Sequence, residues 1–366
     1  MSTYIFILGK DRNLSLAELH ARYPNGKFDG DGDFEILEID QKIDQSEFNH
    51  LGGVIKVGEL VAIVNRNNLS NELTQQLIAH HSGSKLNYGI SVYGWSEKNL
   101  RSLLLDMKRN LKKEGVSSRF INQQFKNVST AQYKGLKGKG IELLVAVHGD
   151  DFLIAKVIAV QDIDSYSERD FEKPFRDMRV GMLPPKLAQI MINLAGDSKT
   201  IWDPFCGGGV LVMEGLLMGR NMLGSDINPE TFEGAKKNVD WLGKDADLFL
   251  HDATQPLKGK KFDAIVCEGY LGPPQTRLQS PDRLKPLLQE LDELYVGFFN
   301  ALVEINFKGS IVIALPFFRC IGNQELDLKS TIEKIEKMGF VLNPKILKYA
   351  RHDQVVGRAI YRFQYR

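Results

Sequence analysis

The stretch TIWDPFCGGGVLVMEGLLMGRNMLGSDIN, residues 200–228, constrains this chain more than any other. Ile201 and Trp202 close an apolar strand, with Asp203 at its carboxyl end. Pro204, Phe205, Cys206 and the run Gly207 to Gly209 then turn the backbone without Cβ obstruction, so a ligand can come close to the main chain. Val210 to Met218 is apolar enough for a helix packed on a sheet, and Gly219 lies near its end. Leu223 to Asp226 reads as a second strand with a terminal carboxylate. In a doubly wound sheet, an acidic residue roughly 20 positions beyond the glycine turn stands where a ribose binds, and the spacing from Gly207 to Asp226 fits. The pattern predicts an α/β domain with a nucleoside-bearing cofactor. For the glycines alone, an ordinary tight turn between strand and helix is the simpler reading.

A dinucleotide would need G-x-G-x-x-G to hold its diphosphate, but Val210, Leu211 and Val212 follow the three glycines. The run D-P-F-C-G-G-G, followed by S-D-I-N-P, resembles instead the S-adenosylmethionine site of class I RNA methyltransferases. That resemblance implies a cofactor held by Asp203, Pro204, Phe205, Cys206, Gly207 and Gly209, with Asp226 on the ribose and Ile227 beside it. Asp252 and Ala253, after a third strand at 247–250, match the family's adenine contact; a helix cap is the local alternative for Asp252.

Bulk properties set the frame. The chain has 366 residues, 43% hydrophobic and 25% charged, which suits two or three soluble domains. With a net charge of +1, any nucleic-acid surface must be local. The 3 cysteines, Cys206, Cys267 and Cys320, form no C-x-x-C pair and read as packing residues. Without an N-terminal apolar leader or an apolar run of membrane-spanning length, the expectation is a cytoplasmic protein with no membrane partner.

Residues 1–95 read as strand, helix, strand, strand, helix, strand, an order that predicts a ferredoxin-like α+β sandwich. Ser15 to Glu18 reads as a capping box opening the first helix. Residues 96–162 carry the local charge: positions 101–140 hold ten bases against two acids, a net of +8. Leu103, Leu104, Met107 and Leu111 bury one helix face and leave Lys108, Arg109 and Lys112 outward. Lys134, Lys137 and Lys139 alternate with glycines in a turn that could follow a phosphate path. These six are the candidate RNA contacts, against the simpler reading of a solvated helix and hairpin. The arrangement resembles a THUMP domain, an RNA-binding module often fused to methyltransferases.

Residues 163–196 read as a linker and lead-in helix, and residues 197–366 as the Rossmann-like domain. The run R-D-F-x-x-P-F-R-D, then G-M-L-P-P-K-L-A, resembles the segment preceding the catalytic domain of the tRNA guanosine N2-methyltransferases, and would place Met182 to Lys186 beside the cofactor. A strand ending at Cys267 leads into Glu268-Gly269-Tyr270-Leu271-Gly272-Pro273-Pro274, where that family carries [DN]-P-P-[YFW]. The chemistry asks for two acceptors for the N–H bonds of an exocyclic amine and an aromatic face for the base. Glu268, the carbonyl of Gly269 and the ring of Tyr270 can supply them. Glycine in place of proline, and glutamate as the acid, depart from the pattern. Near the C-terminus, Arg351, His352 and Arg358 read as RNA-facing or as turn surface, and a reversed last strand is expected.

The fold class expected is α/β: a seven-stranded Rossmann-like methyltransferase sheet behind an N-terminal ferredoxin-like/THUMP arm. The function implied by the resemblance is S-adenosylmethionine-dependent methylation of the exocyclic N2 of a guanosine in tRNA, or in another structured RNA. Methylation of adenine N6 in DNA or ribosomal RNA, and RNA binding without catalysis, are the alternatives. Whether a small activating subunit takes part is not readable from the sequence.

Overall fold

Two mixed sheets organise the chain, each in its own unit, Met1–Asp164 and Ser165–Arg366. The computed structural model describes residues 1–365 except 31, 82–84, 137 and 177–181.

In the first unit the elements run β1 (Ser2–Leu8), α1 (Arg12–Arg22), β2 (Lys27–Phe28), β3 (Phe34–Ile39), α2 (Gln45–Phe48), β4 (Val54–Asn65), α3 (Leu69–Ala79) and β5 (Leu86–Tyr93). They continue with α4 (Glu97–Lys113), β6 (Ser118–Phe120), α5 (Thr130–Leu136), β7 (Gly140–His148) and β8 (Asp151–Val160). The strand and helix order expected over 1–95 appears along the chain, but the pairing differs from a ferredoxin-like sandwich. β1 lies between β3 and β4, and the hairpin β7–β8 inserts between β4 and β5 in the order β2-β3-β1-β4-β8-β7-β5-β6. The cause is the length of β4: its twelve residues pair with β1 at one edge and with β8 from Lys56 to Asn65 at the other. The division expected at 95/96 therefore separates β5 from its partners β6 and β7 in one sheet.

The S-L-A-E signal is not the capping box expected of it, because Asp11 stands at the cap position and Ser15 and Glu18 act at longer range. Helix α1 begins at Arg12, and Ser15 Oγ donates to the Gly53 carbonyl at 2.6 Å. Glu18 accepts from the amides of Gly52 and Gly53 at 2.9 and 2.8 Å. Both side chains clamp the turn before β4.

The second unit starts in α6 (Ile163–Phe171) and continues through α7 (Pro185–Leu194), β9 (Thr200–Asp203), α8 (Val210–Leu217), β10 (Asn221–Asp226), α9 (Pro229–Trp241) and β11 (Asp247–Leu250). Then follow β12 (Ala264–Glu268), α10 (Pro281–Glu304), β13 (Ser310–Arg319), β14 (Glu325–Leu326), α11 (Lys329–Lys337), β15 (Phe340–Leu342), β16 (Leu347–Tyr349) and β17 (Val356–Tyr365). The main path is β11-β10-β9-β12-β13-β17-β15, with β14 and β16 appended at β13 and β17. Its first five strands are parallel and β17 is antiparallel to β13, as expected of the last strand. Continuous apolar runs such as Ala264 to Cys267 are buried on both faces, which a parallel sheet covered by helices requires. Among the described residues no helix is long and apolar enough to cross a membrane.

Candidate active site

The order of strands reverses between β9 and β12, and a ligand crevice is expected outside the carboxyl ends at that point. A cavity of about 480 Å³ opens there, lined by Asp203, Asp226 and Glu268 from the tips of β9, β10 and β12. Phe205, Cys206, Gly207, Ile227, Gly269 and Tyr270 also line it. Nine of the expected site residues thus share one cavity.

The glycine turn is built by the two flanking carboxylates. Asp203 Oδ1 accepts from the Phe205 amide at 3.2 Å, and Asp226 Oδ2 accepts from the Gly207 amide at 2.8 Å. Asp226 Oδ1 accepts from the Asn228 amide and the Thr231 hydroxyl at 2.9 and 3.0 Å. Gly207 and Gly209 have φ of 50° and 79°, left-handed values that a side chain would strain, and Gly209 opens α8. Burial, with the nearby charges of Asp226 and Glu268, pushes the Asp203 carboxyl well above the usual carboxylate range. The thiols of Cys206 and Cys267 are buried and raised by that burial, so both are packing residues.

At β12 the motif Glu268-Gly269-Tyr270 is held from two sides. Arg358 Nε donates to Glu268 Oε1, and the arginine side chain is only 3% exposed. Arg358 is therefore a buried partner of the motif rather than a surface residue. The buried ring of Tyr295 lies against Gly269, and its hydroxyl donates to the Tyr270 carbonyl at 2.6 Å. Tyr270 itself is 41% exposed and available for stacking.

Other expected residues lie elsewhere. Pro204 and Gly209 belong to the turn without lining the cavity, and neither Asp252 nor Ala253 lines it. Asp252 Oδ1 accepts from the amide and hydroxyl of Thr254 at 2.9 and 2.7 Å, which closes a local turn. The third acidic group comes from Glu268 on β12, not from the end of β11.

Several residues of the site give weak sequence signals. Asn238, fully buried on α9, accepts from the Phe175 amide at 2.8 Å and donates to the carbonyls of Phe175 and Gly208 at 3.0 and 2.7 Å. It ties the lead-in segment to the glycine turn; a lone asparagine in a buried stripe was its only trace. Arg169 makes a two-pronged pair with Glu214 at 2.6 and 3.2 Å, and Gln189 donates to the same carboxylate at 2.8 Å. Three helices, α6, α7 and α8, meet on that buried group, so the segment read as a linker is packed structure. Met182 and Leu183 line the cavity, as does Lys173, whose ammonium donates to the Arg169 carbonyl at 3.2 Å.

Of the candidate RNA contacts, Lys108, Arg109, Lys112 and Lys139 are exposed in the first unit. The Lys108 ammonium lies 5.9 Å from the Phe120 ring centre, and Arg109 pairs with Asp106 at 2.9 Å. Lys134, in α5 rather than a turn, pairs with Asp162 and Asp164 at 2.7 and 2.6 Å. Lys137 lies outside the described residues.

The cavity's chemistry suits one class of ligand. Two carboxylates with remaining acceptor capacity match a cation and vicinal hydroxyls, and the walls of Phe205, Ile227 and Leu271 match an apolar ring system.

Comparison with known proteins agrees. Residues 175–316 match the family model described as RMKL-like, methyltransferase domain. The chain is 33% identical over 152 residues to the tRNA (guanine(10)-N2)-dimethyltransferase of Pyrococcus abyssi, covering 40% of this chain and 41% of that protein. It is 34% identical over 190 residues to the enzyme of that name from Methanothermobacter thermautotrophicus, covering 50% and 51%. The chain thus spans about half the length of the curated relatives it matches. The crystal structure of TrmN from Thermus thermophilus is similar in fold, with a TM-score of 0.54 at 14% identity over the whole of both chains. The Rossmann-like methyltransferase fold expected from the sequence is borne out, and so is the resemblance to the tRNA guanine N2-methyltransferases.

Proposed function

We propose that this chain is an S-adenosylmethionine-dependent tRNA methyltransferase acting on the exocyclic N2 of a guanosine. The observation that carries the reading is the convergence of Asp203, Asp226 and Glu268 on one cavity whose mouth holds Tyr270. The names of the relatives supply the substrate class, and the residues supply the roles.

When bound, S-adenosylmethionine supplies a methyl group made electrophilic by its sulfonium. Asp203 would hold the methionine ammonium, and Asp226 the ribose hydroxyls beside Ile227. Glu268 and the carbonyl of Gly269 would accept the two N–H bonds of the target amine, which aims the nitrogen lone pair into the cavity. Tyr270 would stack on a base taken out of the RNA stack. No strong base is required, since in-line displacement depends on position and charge. Glu268 is the acceptor the site offers for the proton the nitrogen gives up. In the first unit, Lys108, Arg109, Lys112 and Lys139 would hold the RNA backbone. Lys134 is set aside, because Asp162 and Asp164 already neutralise it.

The test is transfer of a tritiated methyl group to unmodified tRNA transcripts, followed by nucleoside identification. Labelled N2-methylguanosine, mono- or dimethylated, is the expected product. Label in N6-methyladenine, or no label from protein that binds the cofactor, would overturn the reading.

A further inference from the structure

Glu268 does not face the cavity unaided. Its partner comes from β17, two strands away across β13. Glu268 lies opposite Ala314 on β13, Ala314 lies opposite Ile360 on β17, and Arg358 is two residues from Ile360 on the same sheet face. Two strand spacings make roughly 10 Å between backbones, a span for two long side chains meeting midway. Ala314, the residue between them, is small enough to let them pass. The result is a guanidinium with a side chain 3% exposed against a carboxylate 18% exposed that lines the cavity.

We propose that Arg358 is a positioning residue of this site: bound to Oε1 of Glu268, it fixes that carboxylate at the cavity wall as the acceptor for the incoming amine. This rests on the reading of Glu268 given above. Net stability is a weak reason for such a pair, since desolvation largely offsets the attraction of buried charges. Orientation is the stronger one. The arginine keeps its charge at every relevant pH and its planar fork fixes the acceptor's direction.

The groups facing Glu268 show what the arginine opposes. Asp203 on β9 is a second carboxyl nearby whose own burial favours its protonated form. Cys267 on its own strand and Tyr295 on α10 are likewise neutral neighbours, so the arginine chiefly opposes burial. Burial pushes the Glu268 carboxyl up, and Arg358 pulls it down. Without Arg358 the group takes up its proton at higher pH and would offer an O–H where the amine needs an acceptor.

The experiment compares the pH dependence of kcat/KM for wild type, R358M, R358K and E268Q, with S-adenosylmethionine affinity measured by calorimetry. R358M should move the acid limb up by about one pH unit or more, a loss of roughly tenfold at pH values below it, with cofactor affinity within about twofold of wild type. R358K should restore most of the limb, and E268Q should lack it. Carboxyl-labelled glutamate followed by NMR, with the Glu268 signal assigned by its absence in E268Q, reads the same shift without turnover. Should R358M fail to fold, R358K and the NMR titration carry the test. A folded R358M with the acid limb and the Glu268 titration of wild type overturns the proposal. If E268Q keeps wild-type activity and pH profile, the assignment of Glu268 itself fails, which is a separate result.

Discussion

The hydroxyl of Tyr295 donates to the carbonyl of Tyr270 at 2.6 Å, and its ring carbon Cε1 stands 2.8 Å from where a Cβ on residue 269 would be. The glycine in this motif is thus a fitted residue. Tyr295 fills the space a side chain would need and fixes the backbone beyond it, the restraint a proline ring would otherwise supply. The Gly269 amide also donates to the Ala314 carbonyl at 3.0 Å, a bond no proline can make.

Restoring proline should therefore damage this protein. G269P combines overpacking against Tyr295 with a lost buried hydrogen bond, and should cost about 2–4 kcal/mol and most of the activity. G269A should cost about 1–3 kcal/mol from crowding alone. Urea unfolding of each variant beside its kcat gives the answer. A G269P protein as stable and as active as wild type would show that Tyr295 yields easily.

Asp203 gives a pH prediction. It is 1% exposed, and burial raises its carboxyl well above the usual range in the ligand-free fold. A raised folded-state pKa contributes stability below the unfolded value, and that contribution is lost as pH rises through the folded value. A bound cation reverses the preference and expels the proton. S-adenosylmethionine should accordingly bind with proton release, its affinity rising with pH by up to about tenfold per unit in that window. Calorimetry in two buffers of different ionisation enthalpy measures the release. D203N should bind weakly and without it, yet melt at a higher Tm than wild type at neutral pH in the absence of ligand. Proton uptake by the wild type, or no proton exchanged on binding, contradicts the assignment.

The buried carboxylate of Glu214 answers to two partners from the segment that reads as a linker. Arg169 and Gln189 both bind it, and removing the arginine leaves a buried charge with one neutral donor and only the more distant ammonium of Lys173. R169M should lose about 3–5 kcal/mol, and R169M/E214M much less, because the uncompensated charge is gone. Chemical denaturation of the pair of variants decides it. Equal losses in both would make the arginine a packing residue only.

What the sequence made legible follows from the range of each signal. The parallel core strands announce themselves as apolar runs, and Asp203, Gly207 and Asp226 through spacing over one strand-turn-helix-strand unit. Arg358 does not, because its approach to Glu268 depends on the register of two strand pairs, and sequence carries no register over ninety residues. For the same reason the sequence shows β4 and the hairpin strand at 152–160 separately, but not that β4 and β8 pair. Asp252, read by analogy between strand tips, does not line the cavity, and its side chain accepts a local bond from Thr254. The short strand β15 gives no sequence signal, since three residues offer no period to read.

The outer face of α4 can be separated from its surroundings by salt. Lys108, Arg109 and Lys112 are exposed there, and the pair of Arg109 with Asp106 is a surface pair worth little, free to exchange for phosphate. Each phosphate contact contributes roughly 0.9 to the slope of log affinity against log salt. K108A/R109A/K112A should weaken tRNA binding regardless of sequence and flatten that slope by up to about three units, measured between about 50 and 200 mM salt. K134A is the internal control. Its ammonium donates to Asp162 and Asp164 at 2.7 and 2.6 Å, so removing it should leave the slope unchanged. If the triple variant binds tRNA with the wild-type slope, the RNA backbone lies on another face of this unit, and the charge of α4 serves only solvation.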